Sequence, residues 1–216
     1  TMAVKPDFNP NDFSQVKNSS VFSNSFVENV LEFGSVVKPL VMASALDAGV
    51  VTANTTYEDK GSITVEDKEI FNFDRKGRGI VNMQEVLNQS LNTGMVFVEK
   101  KLGKEKLRDY LFSFGIKDKT GIDLPNETSG LVSNLNSPRE IEYANASFGQ
   151  GIALTSVEMV RALAALANGG NLVVPHLVKE IRYEGGGSKK MIYPSTRTKI
   201  SKQTSEEITR MLVSVM

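Results

Sequence analysis

The sequence has no cysteine, no tryptophan and a single histidine, His176. Without cysteine there is no thiol nucleophile and no Cys-ligated zinc. A Ser-His-Asp or His-based metal mechanism would rest on His176 alone. That residue sits beside Pro175 in the strand-like run "VVPHLV", where an imidazole reads as structural. Excess charge is missing as well: 25 Lys and Arg balance 25 Asp and Glu, so nothing points to nucleic acid or an anionic membrane surface. No apolar run reaches the roughly 18 residues a bilayer span needs, and no signal peptide is visible. Phosphate cradles are lacking too. "GGG" at 185–187 has no Lys and Ser/Thr at P-loop spacing, and "DRKGRG" (74–79) reads as a solvated basic turn.

What is present suits one globular domain, or one and a half. The chain has 216 residues, 40% of them hydrophobic, enough to bury a core. It opens on "TMAVKPDFNPNDF", like the end of a strand followed by a Pro/Asn turn. It closes on "EEITRMLVSVM", inside a helical apolar pattern. Both ends read as cuts in a longer protein. Residues 7–29 are polar and predict a surface loop, and 35–48 predict the first helix. "GSITVEDKEIFNFD" (61–74) predicts short strands or a hairpin. Helical patterns cover 83–102 and 104–114, the first interrupted near "SLNTG" where Asn92 and Gly94 weaken it. Residues 114–130 form a turn-rich connection. The clearest helix is 155–170, with Thr155 as N-cap, Glu158 three residues on and a Gly pair to close it. "NLVVPHLVKEIRY" and "KKMIYP" read as two strands around the loose turn "EGGGS".

In "VLEFGSVVKPLVMASALDAGVV" (30–51), Ser35 and Lys38 sit three residues apart where an apolar run begins. At that spacing helical Cβ atoms lie about 5–6 Å apart, so a Lys amine can reach a Ser hydroxyl. A serine hydroxyl needs a base to take its proton. Lysine can be that base only when neutral, which requires its pKa to fall from about 10.4 toward 7, a shift of roughly 4–5 kcal/mol. Burial and the positive end of a helix both push that way. Gly34 allows close approach to the turn, and Pro39 costs at most one backbone hydrogen bond there. The same Ser-x-x-Lys spacing recurs at Ser14 and Lys17, in a polar loop with no apolar helix behind it. On the local pattern alone, Ser35 as nucleophile and Ser35 as an ordinary N-cap beside an exposed Lys38 are equally good readings.

A second pair shifts the balance. "LNQSLNTGMVFVEKKLG" carries the only Ser-x-Asn of the chain, Ser90 and Asn92, at the break between helical patterns and 55 residues after Ser35. With these two motifs in this order, the chain resembles the penicillin-binding protein transpeptidases, the class B, division-type members above all. The likeness spans nearly the whole chain: "AVKPDFNPNDF", "EFGSVVKPL", "QSLNTG", "FGIKDKTGIDLPNE" and "ASFGQGIALTSVEMVRALAALANGG" each resemble a family stretch. Phe33 stands where the family usually has Pro, and Leu91 where it has a small or polar residue.

The resemblance implies Ser35 as the acylated nucleophile, Lys38 as its base, Ser90 as proton relay to the leaving group and Asn92 as a hydrogen-bond partner of the substrate's acyl side chain. It places the Ser35 N–H in the oxyanion hole. It implies an α+β fold of the penicillin-binding protein/serine β-lactamase type, represented here chiefly by its helical part with little of the central antiparallel sheet. The implied reaction is acyl transfer from D-Ala-D-Ala stem peptides of peptidoglycan, with β-lactams acylating the same serine and no metal or organic cofactor required. Cell-wall synthesis or division proteins would be partners, at the extracytoplasmic face of the bacterial membrane. "KTG" at 119–121 has the spelling of the family's third motif but follows the second closely and sits among turn formers, so it reads as a surface turn. The true third motif and the first strands would then lie outside residues 1–216, a partial domain inactive on its own. A serine β-lactamase, and a β-lactam-sensing or inactive scaffold domain, are the rivals. The former needs a Glu-x-x-Leu-Asn segment after Ser90, and none follows it.

Overall fold

The computed structural model describes residues 2–215, so the terminal Thr1 and Met216 of the two cut-end readings lie outside it. Residues 2–8 form no strand. The polar stretch after them folds into short turns, 3-10 at Phe13–Gln15 and Ser19–Phe22 and α-helical in α1 (Ser25–Glu28). Asn18 and Asn24 cap two of these by accepting from the N–H groups of Ser20 and Phe26. Strand β1 (Val30–Leu31) leads into a 3-10 turn, Gly34–Val37, and then α2 (Lys38–Asp47).

Helix α2 is the centre of the core. Residues 40–45 are all buried, and a helix apolar on every side must be surrounded. Next come β2 (Thr56–Asp59), the hairpin of β3 (Ser62–Val65) and β4 (Lys68–Phe71), and β5 (Gly79–Asn82), which pairs antiparallel with β2. The expected helical stretch 83–102 is two helices, α3 (Met83–Asn88) and α4 (Asn92–Leu102), followed by α5 (Lys104–Ser113). The break falls at residues 89–91. Gly94, expected to weaken the helix, lies inside α4 and serves packing: a Cβ there would stand 2.5 Å from Val86 Cγ2.

After the turn-rich connection come α6 (Glu140–Ala146), β6 (Leu154–Thr155) and α7 (Ser156–Ala167). The capping box is complete: Thr155 Oγ1 accepts from Glu158 N–H, and the Glu158 carboxylate accepts from Thr155 N–H. Strand β6 pairs with β1. The chain then runs through β7 (Asn171–Val173), β8 (Glu180–Arg182), β9 (Ser188–Lys190) and β10 (Ser195–Arg197) into α8 (Lys202–Val213), which packs with α7 on α2.

The two runs around "EGGGS" do pair there, as β8 with β9, but the first run is two strands rather than one, and its leading part, β7, pairs with β10. Pro175 ends that leading part, because it lacks an N–H for a ladder. Among the described residues the strands form five two-stranded antiparallel pairs set around the helices, an α+β arrangement.

Candidate active site

Ser35 lies in the 3-10 turn that feeds α2, and it is exposed. Its turn is fixed from behind. Gly34, at φ 53°, donates its N–H to the Gly149 carbonyl at 3.2 Å. Gly149 lies so close that a Cβ on it would stand 2.0 Å from the Gly34 oxygen. Only glycine at 149 lets the two backbones meet. The side chain of Ser35 caps no helix: no side-chain cap bond forms at the start of this turn, so the N-cap reading fails. Lys38 opens α2 and is 2% exposed, so it is not the surface lysine of that reading either.

Ser90 comes from the break between α3 and α4. Its N–H donates to Leu87 O at 3.1 Å, and Leu91 N–H donates to Val86 O at 2.9 Å, the two bonds of a Schellman motif. In that motif the residue at Ser90's position takes a left-handed conformation, usually as glycine. Ser90 takes it at φ 52°, a strained choice for a residue with a side chain, worth about 1–2 kcal/mol. The buried Leu91 anchors the far side of the break. The turn sets the Ser90 hydroxyl within reach of Ser35 and Lys38.

These elements converge on one amine. Lys38 Nζ donates to Ser90 O at 2.6 Å, Ser90 Oγ at 2.9 Å and Asn92 Oδ1 at 2.8 Å. Ser90 Oγ in turn donates to Ser35 Oγ at 3.0 Å. The expectation of a Lys38 amine lying on the Ser35 hydroxyl is therefore refined: Ser90 stands between them and joins both. Asn92 Nδ2 donates to Phe71 O at 2.9 Å, leaving its second N–H for another acceptor. Burial pulls the Lys38 ammonium from 10.5 down to about 8, because the charged form loses more hydration than the neutral one. A lysine at that value supplies a neutral amine to roughly a tenth of molecules at pH 7.

The other sequence candidates lie apart from this cluster. Ser14 is exposed and donates to Asp12 at 3.4 Å. His176 stacks on Tyr193, ring centroids 3.8 Å apart. In "KTG", Lys119 is exposed, while Thr120 is buried, its N–H donating to the Glu127 carboxylate at 2.7 Å with Gly121 N–H beside it at 3.1 Å. That is a turn locked by a carboxylate. Three residues around the cluster had no signal of their own in the sequence. Asp59, Asn72 and Thr93 are 2%, 2% and 3% exposed and bonded to one another beside Asn92. Each is a polar residue at the end of an element, a pattern shared by countless surface turns. Among the described residues no cluster of three or more His, Cys, Asp or Glu is placed to hold a metal.

An exposed serine linked through a second serine to a buried, weakly basic lysine is an arrangement that can support serine acyl transfer without histidine. The model for the penicillin binding protein transpeptidase domain matches residues 1–216, and the chain belongs to that family. Its relatives are class B penicillin-binding proteins. Stage V sporulation protein D of Bacillus subtilis is 34% identical over 225 residues, covering all of this chain and 34% of that protein. Penicillin binding protein 3 of Mycobacterium tuberculosis, solved as a complex with ampicillin, superposes with a TM-score of 0.84 at 27% identity, over 89% of this chain and 43% of that one. The D,D-transpeptidase domain of a peptidoglycan glycosyltransferase from Eggerthella lenta gives a TM-score of 0.88 at 22% identity, over 99% and 57% of the two chains. At that identity it speaks for the fold alone. The chain spans about a third of the length of the curated relatives it matches.

Proposed function

We propose that this chain supplies the nucleophile and proton relay of a peptidoglycan D,D-transpeptidase. The observation that carries the reading is the unbroken path Ser35–Ser90–Lys38, with links of 3.0 and 2.9 Å, ending on a lysine brought down to about 8 by burial. With Lys38 neutral, the path runs in reverse of the resting bonds. Ser35 Oγ attacks the carbonyl of the terminal D-Ala-D-Ala amide while its proton passes to Ser90 and the Ser90 proton to Lys38. The tetrahedral oxyanion faces the N–H of Ser35, a group near the start of its helical turn with no intrahelical acceptor. Collapse breaks the C–N bond, Lys38 returns the proton through Ser90 to the leaving amine, and D-Ala departs. An amine from a neighbouring stem peptide then attacks the ester carbonyl, its proton passing through Lys38 and Ser90 to Ser35 Oγ as the acyl C–O bond breaks. The free N–H of Asn92 meets the carbonyl of the acyl side chain. A β-lactam would enter the same way, its amine remaining tethered and the ester persisting.

The relatives' names support this reading. The set includes peptidoglycan D,D-transpeptidases of Acinetobacter baumannii and Neisseria meningitidis. A β-lactamase is less well supported: the nearest spelling of its water-activating segment, Glu85 in "EVLN", precedes Ser90 and bonds within α3 to Asn88 and, at its end, Gln89. We place the family's third motif outside residues 1–216, the Glu127 bonds of Thr120 and Gly121 favouring a structural turn at "KTG". The work site would be the extracytoplasmic face of the membrane, alongside other cell-wall synthesis proteins. Among the described residues no helix is long and apolar enough to cross a membrane.

The test is D-Ala release from a stem pentapeptide by the full-length protein. The reading expects turnover that Ser35→Ala abolishes. Equal turnover with and without the Ser35 hydroxyl would contradict it.

A further inference from the structure

Asp59, Asn72 and Thr93 come from three different elements, and among the described residues none of them hydrogen-bonds to the side chain of Ser35 or Lys38. Asp59 ends β2, Asn72 follows β4 and Thr93 lies in the first turn of α4. Asp59 is a buried carboxylate with no cation on it among the described residues, satisfied by four donors. Its Oδ1 accepts from Gly61 N–H at 3.0 Å and Thr93 Oγ1 at 2.8 Å. Its Oδ2 accepts from Asn72 Nδ2 at 2.9 Å and Arg78 N–H at 3.1 Å. Asn72 Oδ1 accepts from the Thr93 N–H at 3.2 Å. Because the Thr93 proton goes to Asp59, the Tyr57 hydroxyl is the donor in its 3.1 Å bond to Thr93 Oγ1. Two glycines allow this crowding: a Cβ on Gly61 would stand 2.7 Å from Gly77 N. A polar network this deep is costly unless every member is satisfied, and when satisfied it fixes its members in one arrangement.

We infer that Asp59, Asn72 and Thr93 form a positioning unit that sets the amide of Asn92, and with it the acceptors around Lys38. The inference rests on the proposed role of Lys38 as proton acceptor.

The unit reaches Asn92 along two routes. Thr93 is the next residue in the chain, pinned through its N–H and hydroxyl. Phe71, whose carbonyl takes Asn92 Nδ2, precedes Asn72, and Asn72 is itself held by its N–H on Gly61 O at 3.0 Å. With Nδ2 committed to Phe71 O, the amide can turn only its oxygen toward Lys38. A flipped amide would point its N–H at an ammonium and its oxygen at the Phe71 carbonyl oxygen, donor against donor and acceptor against acceptor. The route is geometric: burial alone accounts for the lowered basicity of Lys38. Released from the unit, the Ser90–Asn92 turn would loosen and admit water to Lys38. That would return the amine toward its ordinary basicity and misplace Ser90 between the two reacting groups.

The experiment measures acylation by a chromogenic β-lactam in the full-length protein, with reversible binding and the covalent step separated and the pH profile recorded. Thr93→Val keeps the shape and removes the hydroxyl; Thr93→Ser restores it. The positioning role expects Thr93→Val to melt like a folded protein and to acylate at least about tenfold slower in the covalent step itself, beyond any loss of reversible binding through Asn92. Its pH midpoint should lie above the wild-type value, while Thr93→Ser should match wild type. Asn72→Ala, which opens the network from the other side, stands in if Thr93→Val does not fold. A folded Thr93→Val with wild-type rate and midpoint would overturn the inference and leave the proposed site intact. Failure of both variants to fold would overturn it in favour of a purely structural core. Absence of acylation in the wild-type protein would overturn the site and the inference together.

Discussion

The base role proposed for Lys38 depends on its being both buried and surrounded by acceptors. Three oxygens receive its ammonium in the resting state, which offsets the cost of placing a charge where water cannot follow. Burial still wins and leaves the amine at about 8. The sign of the pH dependence follows. With the neutral amine as the proposed base, acylation by a β-lactam should rise from pH 6 through a midpoint near 8 and level off above it. A profile that is flat or falling across that range would contradict the assignment of Lys38 as proton acceptor. The i, i+3 spacing made Ser35 and Lys38 a candidate pair in the sequence, and the second motif at Ser90 and Asn92 made them the favoured one. The place of Ser90 between them was not legible, because it depends on a turn contributed 55 residues later in the chain. Its left-handed φ has no marker in the residue type, since the position ordinarily calls for glycine.

At the level of elements, α2, α3 and α4 form the frame: α2 carries Lys38, the α3–α4 break carries Ser90, and the first turn of α4 carries Asn92. Helix α4 also buries Glu99, which burial, together with the Glu140 carboxylate nearby, pushes up to about 7. An unfolded chain releases that proton near 4.3. Between these values the folded protein holds a proton the unfolded chain has lost, so stability falls as pH rises through the window and the full penalty is present above 7. Glu99→Gln should therefore melt at a higher temperature than wild type at pH 8 and nearly level with it at pH 4.5. A gain of equal size at both pH values would contradict this account of Glu99.

The elements also show where a sequence speaks and where it does not. The capping box at Thr155 and Glu158 and the hairpin of β3 and β4 were readable, because local side-chain chemistry and alternation specify them. The split of "NLVVPHLVKEIRY" into two strands was not read, although Pro175, which has no N–H for a ladder, falls between them. Asp59, Asn72 and Thr93 escaped for a different reason: their bonds span 13 to 34 residues of sequence.

For the whole molecule, an α+β body brings Ser35, Ser90, Lys38 and Asn92 into one hydrogen-bonded cluster, and the chain belongs to the transpeptidase family. The resemblance drawn from "EFGSVVKPL" and "QSLNTG" was legible because the reacting groups are grouped in short motifs, while Leu91 and Phe33 vary around them without displacing the groups. The central claim is that Ser35 is the residue acylated. Its most direct test is to treat the full-length protein with a penicillin, digest it and locate the adduct by mass spectrometry. The account predicts a single stoichiometric acyl ester on the peptide carrying Ser35. An adduct on another serine such as Ser14, or an unmodified Ser35 in acylated protein, would contradict it.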